Sequence, residues 1–418
     1  MSKLFSSITL ACLCCSFAAG APLAIEQARV LVTGPGFNRP DAFPGQGEFS
    51  WAGNMQQLPN GELLLVHSMG YYHSSFAQPR LIEPKLRERW LNQGWPLDFA
   101  APTGGRSMLT RSGDGGKTWS KPKTILDLKW DEGPCGLLRC DDGTLVCTIG
   151  VQASWYGYPE APAHFKKELG GLNTAQCSIR STDNGKTWSK PLFLKSPGTF
   201  YERSPVQLVQ LPDGRILWPT YFMKKGSGKL GGAIHQSKDR GKSWSLLSVI
   251  ERKGNSADTA SSSAANIDEP AIAQLPDGRL FLVCRPDGGR FFSKDNGKTW
   301  RHDGRLVTQG KFKAPRVFAL KDGTIVIVAT YDNNLQVWLG HNNGREWTGP
   351  LPLDTSSYGY PGGMKLADES LLVSYCSSGR APNRIYCVRF HVNEKRNGIE
   401  LLPMEGATPL EPQPLEDN

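Results

Sequence analysis

The chain has 418 residues, a formal net charge of +9 and 39% hydrophobic residues, with 46 glycines and 30 prolines. Its basic residues are spread along the sequence, many of them in turns, so no nucleic-acid-binding stripe is expected. No apolar stretch long enough to span a membrane follows residue 24, and the high glycine and proline content is typical of a turn-rich all-β protein.

Residues 1–24 differ in character from the rest of the chain. Lys3 is followed by the apolar stretch LFSSITLACLCCSFAA and by small residues at 18–20. A charged start, an apolar run and a small-residue cleavage region are typical of a secretory signal peptide. We therefore expect export to the periplasm, the cell surface or the medium, with residues 25–395 forming one domain and 396–418 a C-terminal tail.

Six segments share one pattern: an apolar run, a short polar turn that is Asp-Gly or Asn-Gly in most copies, and a second apolar run. In chain order they are residues 55–66, 136–149, 206–219, 271–284, 316–329 and 363–375. Gly and Asn accept the positive φ that a tight turn between two strands requires, so each segment predicts a β-hairpin.

A second repeat alternates with these hairpins. Its copies are SGDGGKTW (112–119), STDNGKTW (181–188), SKDRGKSW (237–244), SKDNGKTW (293–300) and a degenerate GHNNGREW (340–347). We expect each Asp to accept hydrogen bonds from the turn backbone, the Ser and Thr hydroxyls to add bonds, and the Trp to pack between neighbouring sheets.

Two interleaved repeats with a period of roughly 40 to 70 residues indicate stacked units of the same structure. Six hairpins with connecting turns predict an all-β fold, a six-bladed β-propeller with four strands in each blade. The sixth blade lacks its own Trp turn. We expect residues 28–33 or the segment RIYCVRFHV (384–392) to complete it and to close the ring.

Seven cysteines follow residue 24, an odd number, so at least one thiol is unpaired. Two interpretations remain open for Cys376 and Cys387, which flank a predicted hairpin: a disulfide, or small buried apolar side chains. No cysteine spacing resembles a zinc site and the seven histidines are scattered. The sequence therefore predicts no metal and no cofactor.

Aligning the six hairpins on their turns brings one set of residues to the mouth of the propeller, where the innermost strands begin. The set combines carboxylates, cations and two tyrosines: Ser50, Trp51, Asp131, Glu132, Glu202, Arg203, Asp268, Glu269, Lys313, Arg316, Tyr358 and Tyr360. Ordinary strand starts are the alternative interpretation. Polar groups from every blade around one axis nevertheless exceed what solvation requires, so we predict the functional site there.

The repeated Ser-x-Asp-x-Gly-x-Thr-Trp turns, called Asp boxes, on such a propeller resemble the exo-α-sialidase superfamily. The segment at residues 266–300 is similar to the sialidase segment that carries the glutamate partner of the nucleophile and one arginine of the carboxylate-binding triad. The resemblance implies these roles for Glu269 and Arg285. The segment at 358–375 resembles the one with the nucleophilic tyrosine, which implies Tyr360, with Tyr358 as the alternative.

The resemblance further implies a retaining glycosidase. A phenol activated by a carboxylate base attacks an anomeric carbon beside a substrate carboxylate without the repulsion that an acidic nucleophile would meet. The general acid of such enzymes is expected in the long connection at residues 68–106. Asp98 is the only aspartate there, and Glu83 and Glu88 are alternatives.

Two positions depart from the sialidase pattern. Ser50 stands where the first triad arginine is expected, and Asp332 and Asn333 stand where the third is expected. Because bidentate arginines make a carboxylate pocket tight, other cations become candidates for substrate binding. These are Arg203, Lys313 and Arg316.

The sequence favours a secreted, sialidase-like exo-glycosidase that acts on terminal sialic acid or a related sugar of glycoconjugates. We expect a monomer without nucleic-acid partner, membrane span or cofactor. Two alternatives remain: a non-catalytic carbohydrate-binding propeller and a polysaccharide lyase.

Overall fold

The structure, a computed structural model, describes residues 23–35, 49–71, 88, 92, 104–156, 160–161, 163–204, 207–252 and 266–404. The predicted signal peptide lies almost wholly outside these residues, as do most of the 68–106 connection with Asp98 and Glu83, and part of the predicted tail. Glu88 is described and is exposed.

The described residues include one short helix, α1 (Ile25–Ala28), two isolated helical positions, Glu88 and Asn92, and 27 strands. In chain order the strands are β1 (Val30–Thr33), β2 (Phe49–Trp51), β3 (Met55–Gln57), β4 (Leu63–Gly70), β5 (Arg106–Ser112), β6 (Lys123–Leu126), β7 (Asp131–Arg139), β8 (Leu145–Gln152), β9 (Thr174–Ser181), β10 (Leu192–Phe193), β11 (Tyr201–Arg203), β12 (Val209–Gln210), β13 (Ile216–Met223), β14 (Leu230–Ser237), β15 (Ser245–Ile250), β16 (Asp268–Gln274), β17 (Leu280–Arg285), β18 (Gly289–Ser293), β19 (Arg301–His302), β20 (Phe312–Ala319), β21 (Ile325–Tyr331), β22 (Asn334–His341), β23 (Glu346–Asp354), β24 (Met364–Lys365), β25 (Leu371–Cys376), β26 (Ile385–Val392) and β27 (Ile399–Leu402). Short 3-10 turns lie at Ala163–Phe165, Glu168–Gly171 and Asn342–Gly344. Within the described ranges, no helix is both long and apolar enough to cross a membrane.

In the described part of the chain the strands assemble into five hydrogen-bonded sheets. These are β2–β6, the nine-stranded sheet β7–β15, β16–β19, β20–β23, and β24–β27 together with β1. The nine-stranded sheet contains two antiparallel meanders, β7–β10 and β11–β15. They are joined by a single parallel pair, Tyr201 opposite Thr174.

All six predicted hairpins are present. Strands pair antiparallel across each predicted turn, as the innermost residue pairs demonstrate: Gln57–Leu63, Arg139–Leu145, Gln210–Ile216, Gln274–Leu280, Ala319–Ile325 and Lys365–Leu371. The alternation of apolar runs with short polar turns was therefore a sufficient signal for these strands.

The Asp boxes are hydrogen-bonded turns, as predicted. In the box at residues 293–300, Asp295 accepts bonds from Ser293 Oγ (2.8 Å), Thr299 Oγ1 (2.6 Å) and Thr299 N (2.9 Å). Asp114, Asp183 and Asp239 make the equivalent contacts. Burial raises the pKa of Asp295, but the bonds from Thr299 and Ser293 outweigh it and lower that pKa to about 2. The carboxylate thus stays ionised and fixes the turn.

Clusters of buried apolar side chains join each run of consecutive antiparallel strands, or meander, to the next run along the chain. Residue pairs that share one cluster across neighbouring meanders include Val66 with Ile149, Val146 with Trp218, Leu217 with Leu282, Phe281 with Ile327, Val328 with Val373, and Ile385 with Leu65. The last pair returns to the first sheet, so the sheets form a closed ring, the arrangement of a β-propeller. The prediction of an all-β propeller is confirmed.

Both segments that were expected to complete the last sheet belong to it. Strand β1 pairs with β26 through Val30 and Cys387, and β27 pairs farther along the same edge of β26, with Leu402 opposite Arg389. A strand from the N-terminal part of the chain therefore closes the ring. The guanidinium of Arg29, the residue directly before β1, forms an ion pair at 3.0 Å with Asp354 at the end of β23, so the N-terminal segment also contacts the neighbouring sheet.

The disulfide interpretation for Cys376 and Cys387 is wrong. Both are free, buried thiols, as are the five other cysteines among the described residues. Cys387 lies opposite Ser374 rather than opposite Cys376. The two cysteines are thus diagonal neighbours on adjacent strands, about 7–8 Å apart in an ordinary sheet, whereas a disulfide needs Cβ atoms about 3.8 Å apart.

Replacing Asp295 with Asn should lower the thermal midpoint at pH 7 by several degrees, because a neutral amide accepts these hydrogen bonds more weakly than a carboxylate does. The folded-state pKa, about 2, lies below the unfolded value. The stabilisation is therefore complete above about pH 4–5 and disappears as the pH falls through the folded pKa. Thermal melts followed by circular dichroism should give a difference between the two proteins that shrinks from pH 5 to pH 3.

Lys298→Ala is the matched control, because Lys298 is exposed in the same turn and its backbone N–H is unchanged by the substitution. Its midpoint should stay close to that of the wild type at both pH values. A difference between wild type and Asp295→Asn that does not vary with pH would contradict this account of the turn.

Candidate active site

The inner strands β7, β16 and β20 are irregular near the end that faces the mouth of the ring. Their pairing registers shift between Glu132 and Cys135, between Asp268 and Ala271, and between Lys313 and Arg316. An extra residue in one strand of a pair bends that strand and changes the direction of its side chains. These bulges determine which polar groups face the mouth.

Three non-glycine residues near these irregularities have left-handed backbone conformations: Glu269 (φ 46°), Ala314 (φ 45°) and Tyr360 (φ 52°). Such a conformation costs a non-glycine residue roughly 1–2 kcal/mol. Strained residues that persist in a folded protein concentrate at functional sites. Tyr360 and Ala314 both donate a hydrogen bond to the Glu269 carboxylate.

The carboxylate of Glu269 is the centre of the cluster. Its Oε1 atom accepts a hydrogen bond from Tyr360 Oη at 3.1 Å and lies 3.4 Å from Arg285 Nη1. Its Oε2 atom accepts a bond from the Ala314 backbone N–H at 2.6 Å. Glu269, Arg285 and Tyr360, which sequence similarity placed in one site, therefore lie together, while their chemical roles stay predictions.

Tyr360 is a neutral phenol in an aromatic stack. Its ring centroid lies 4.5 Å from that of Trp51 and 5.4 Å from that of Tyr358, and the two tyrosine rings are nearly parallel at 11°. Burial, followed by the negative charge of Glu269, raises the pKa of Tyr360 well above its ordinary value. Glu269 is consequently the acceptor toward which the phenol proton is directed.

A second wall of the site carries Asp268 and Arg203. Asp268 Oδ2 lies 3.7 Å from Arg285 Nε. Burial and the negative charge of Glu269 raise the pKa of Asp268 to about 7. The Arg203 guanidinium lies 4.9 Å from the ring centroid of Tyr156 and 5.7 Å from that of Tyr201, and it donates a hydrogen bond to the Tyr156 hydroxyl. Arg203 is thus enclosed by tyrosines on the side of Asp268.

Lys313 and Arg316 differ sharply in accessibility. Arg316 is 3% exposed and donates to the Pro315 carbonyl at 2.6 Å, and burial lowers its pKa. It therefore presents almost no surface to a substrate. Lys313 is half-buried, with its ammonium 5.3 Å from the Tyr358 ring centroid and 3.3 Å from Asn333 Oδ1.

The two positions that depart from the sialidase pattern have structural tasks. Ser50 is fully buried, its backbone N–H donates to Asn383 Oδ1 at 2.7 Å, and its carbonyl accepts from Asn383 Nδ2 at 2.9 Å. Asp332 (φ 47°) and Asn333 (φ 66°) form the two-residue turn between β21 and β22, a turn that requires positive φ at both positions. Neither position supplies a cation.

Sequence reasoning missed Ala314, which acts through its backbone N–H, and the tyrosines Tyr156, Tyr201 and Tyr221. Tyr201 directly precedes Glu202 and Arg203, and Tyr221 pairs with Arg203 across β11 and β13. A search for aromatic residues next to the mouth cations would have found Tyr201. No group of three or more metal-ligating side chains suited to a metal ion occurs among the residues that the structure describes.

Comparison with known proteins assigns the repeats to a family. The family described as BNR repeat-like domain matches residues 163–373, half of the chain. A sialidase of Bacteroides fragilis (strain YCH46) is 31% identical over 211 residues, which are 46% of this chain and 36% of that protein. The chain therefore spans little more than a third of the length of that relative.

Solved structures share the fold. A protein of unknown function from Dyadobacter fermentans superposes with a TM-score of 0.63 at 18% identity, over 90% of this chain and 98% of that one. A Hadza microbial sialidase, Hz136, superposes with a TM-score of 0.57 at 14% identity, over 84% of this chain and 66% of that one. At such identities the likeness extends to the propeller fold alone.

Replacing Ala314 with Gly should cost much less stability than the same change at an ordinary buried alanine. The substitution relieves a left-handed alanine, worth roughly 1–2 kcal/mol, which offsets the conformational entropy of glycine, about 0.5–1 kcal/mol, and the loss of a buried methyl group, about 0.8 kcal/mol. Urea denaturation should therefore yield an unfolding free energy within about 1 kcal/mol of that of the wild type.

Ala273→Gly is the matched control, because Ala273 is a buried alanine within β16 and its substitution should destabilise the protein by about 0.5–1 kcal/mol or more. If Ala314→Gly lowered the stability as Ala273→Gly does, the backbone at Ala314 would not be strained.

Proposed function

We propose, from the premise that the chain belongs to the BNR repeat-like family within the sialidase superfamily of propellers, that it is a retaining exo-glycosidase that removes a terminal sugar from glycoconjugates. One observation carries the proposal. Tyr360 Oη donates to Glu269 Oε1 at 3.1 Å, with Arg285 beside the same oxygen at 3.4 Å. A nucleophile within hydrogen-bond distance of its base is the arrangement that covalent catalysis requires.

In the proposed first step, Tyr360 Oη forms a bond to the anomeric carbon while its proton passes to Glu269 Oε1. The bond from the anomeric carbon to the leaving oxygen breaks, and that oxygen takes a proton from a general acid. We propose Asp98 for this acid, a residue outside the described part of the chain. The product of the step is a sugar linked covalently to Tyr360.

In the second step a water molecule gives a proton to the same acid residue and attacks the anomeric carbon. The Tyr360–sugar bond breaks, and the phenolate recovers its proton from Glu269. Ala314 N–H and Arg285 hold the Glu269 carboxylate in one orientation through both steps. The enzyme returns to its starting protonation state.

The proposal includes three further features. We infer six blades, because the nine-stranded sheet consists of two meanders joined by one parallel pair. Export follows from the charged and apolar residues at 1–24. The mature protein is proposed to act as a monomer on a glycan.

One observation favours a second candidate, a carbohydrate-binding propeller without catalysis. Ser50 is buried between the first and last sheets, and Asp332 and Asn333 form a tight turn. Two of the three arginines expected of a sialidase are therefore absent. A site that binds its substrate less tightly is compatible with sugar binding without cleavage.

Purified protein should be assayed on aryl glycosides of sialic acids, of uronic acids and of neutral sugars. Tyr360→Phe should abolish turnover of the preferred donor, because the ring keeps its place and loses the nucleophilic oxygen. Glu269→Gln should lower kcat by about 10²–10⁴-fold, the usual contribution of a general base. Tyr386→Phe is the control, since Tyr386 lies in the outer part of the last sheet beside Arg29.

A fluorinated analogue of the preferred donor should label the peptide that contains Tyr360, as measured by mass spectrometry. Turnover that survives both Tyr360→Phe and Glu269→Gln would eliminate the proposed site. Sugar binding by the wild type without turnover of any donor would identify the protein as the binding propeller.

A further inference from the structure

The ammonium of Lys313 lies next to the turn where the third arginine of a sialidase is absent. Lys313 is at the mouth end of β20, and its Nζ atom donates to Asn333 Oδ1 at 3.3 Å. Asn333 belongs to the turn between β21 and β22 of the same sheet. A positive charge is therefore present beside that turn, supplied by a different strand.

Lys313 and Arg285 border the same group of side chains. The Lys313 ammonium lies 5.3 Å from the ring centroid of Tyr358, which stacks on Tyr360, and both Tyr360 and Arg285 contact Glu269 Oε1. Burial, then repulsion by Arg285 and Lys311, lowers the pKa of Lys313, while the charges of Glu269 and Asp332 attract the ammonium. Among the described residues Lys313 makes no ion pair with a carboxylate within 4.0 Å, and its one hydrogen bond goes to a neutral amide. Its charge is thus available to an anion that enters the site.

The nearby carboxylate of Glu269 already has its partners. Oε1 faces Tyr360 and Arg285, and Oε2 accepts from the Ala314 N–H. An anion between the two cations would face Arg285 on one side and the Lys313 ammonium on the other. The Tyr358 ring, 5.3 Å from the ammonium, supports that charge through a cation–π contact.

We propose that Lys313 and Arg285 together bind the carboxylate of a terminal acidic sugar. The Lys313 ammonium supplies the positive charge that an arginine at Asp332–Asn333 would otherwise supply. This inference rests on the proposed function, because it assigns the substrate class of the same site. The acidic group is a sugar carboxylate, whether the sugar is a sialic acid or a uronic acid.

The two other candidate cations are less suited to this task. Arg316 is 3% exposed and is directed at a backbone carbonyl. Arg203 is enclosed by Tyr156 and Tyr201 beside Asp268. Lys313 is the partly exposed cation that shares the environment of Arg285, Glu269 and Tyr358.

A lysine changes the character of the pocket. Its ammonium is a compact point charge and does not impose the planar two-bond geometry of a guanidinium. We expect it to contribute attraction more than orientation, so the KM for acidic donors should rise with ionic strength. Neutral donors should lack this dependence.

The decisive comparison uses Lys313→Met, Lys313→Arg and Lys321→Met on aryl glycosides of a sialic acid, of glucuronic acid and of galactose. Lys313→Met should raise the KM for the acidic donor by about tenfold, the effect of losing roughly 1.4 kcal/mol of binding. Its kcat should change much less. Lys313→Arg should restore most of the affinity, because it returns the charge.

Lys321→Met removes the same formal charge from an exposed position in the turn between β20 and β21. It should leave the KM for every donor unchanged. The relative turnover of the sialic acid and glucuronic acid donors identifies which acidic sugar is preferred. Equal loss with Lys313→Met on acidic and neutral donors, or no loss on acidic donors, would overturn the inference.

Binding measurements separate this inference from the proposed function. If no donor is hydrolysed, the proposed function fails, and the carboxylate site is then judged by calorimetry with free sialic acid, glucuronic acid and galactose. The inference predicts that the wild type binds an acidic sugar more tightly than galactose and that Lys313→Met loses this preference. A wild type that binds no acidic sugar better than galactose would refute it.

Discussion

The site depends on one carboxylate that joins three sheets. Glu269 belongs to β16, and it receives hydrogen bonds from Tyr360, which precedes β24, and from the Ala314 backbone in β20. Residues distant in sequence thus meet only when the sheets have packed in a ring. The contacts also give a reason for the backbone strain at these three residues, because three left-handed conformations bring their polar atoms to one point.

A second constraint acts where the first and last sheets meet. The Ala52 N–H contacts Cys376 Sγ at 3.2 Å, and Ser374 Oγ donates to the Gly53 carbonyl at 2.9 Å. A Cβ atom on Gly362 would lie 1.8 Å from the Gly53 carbonyl oxygen, so only glycine permits this approach. Ser50 is buried within the same junction. A long charged side chain at residue 50 would have to be accommodated within that tight packing.

Local turn chemistry accounts for most of what could be predicted from sequence. The Asp295 box and the hairpin turn before β17 follow from residues within eight positions of one another. The junction hydrogen bond from the Ser50 N–H to Asn383 Oδ1 joins residues 333 positions apart, and no local sequence pattern predicts it. The sequence did not distinguish Lys313 from Arg316 as candidates for substrate binding. The bulge between them gives one a partly exposed position and buries the other, because an extra residue changes which way the following side chains point.

The charge balance around Tyr360 supports the proposal that an acidic sugar is attacked by a phenol at this site. Glu269 is held by Arg285 and Tyr360, so its charge is shared among its partners. The pKa of Asp268 is raised to about 7 by burial and by Glu269, which keeps part of that carboxyl neutral at neutral pH. Arg285 and Lys313 supply positive charge on the side of Tyr360 and Tyr358 where the sugar carboxylate is proposed to bind. In the proposed reaction, a carboxylate in place of Tyr360 would cancel this positive charge and repel an acidic substrate, whereas a neutral phenol would preserve the attraction until its proton moves to Glu269.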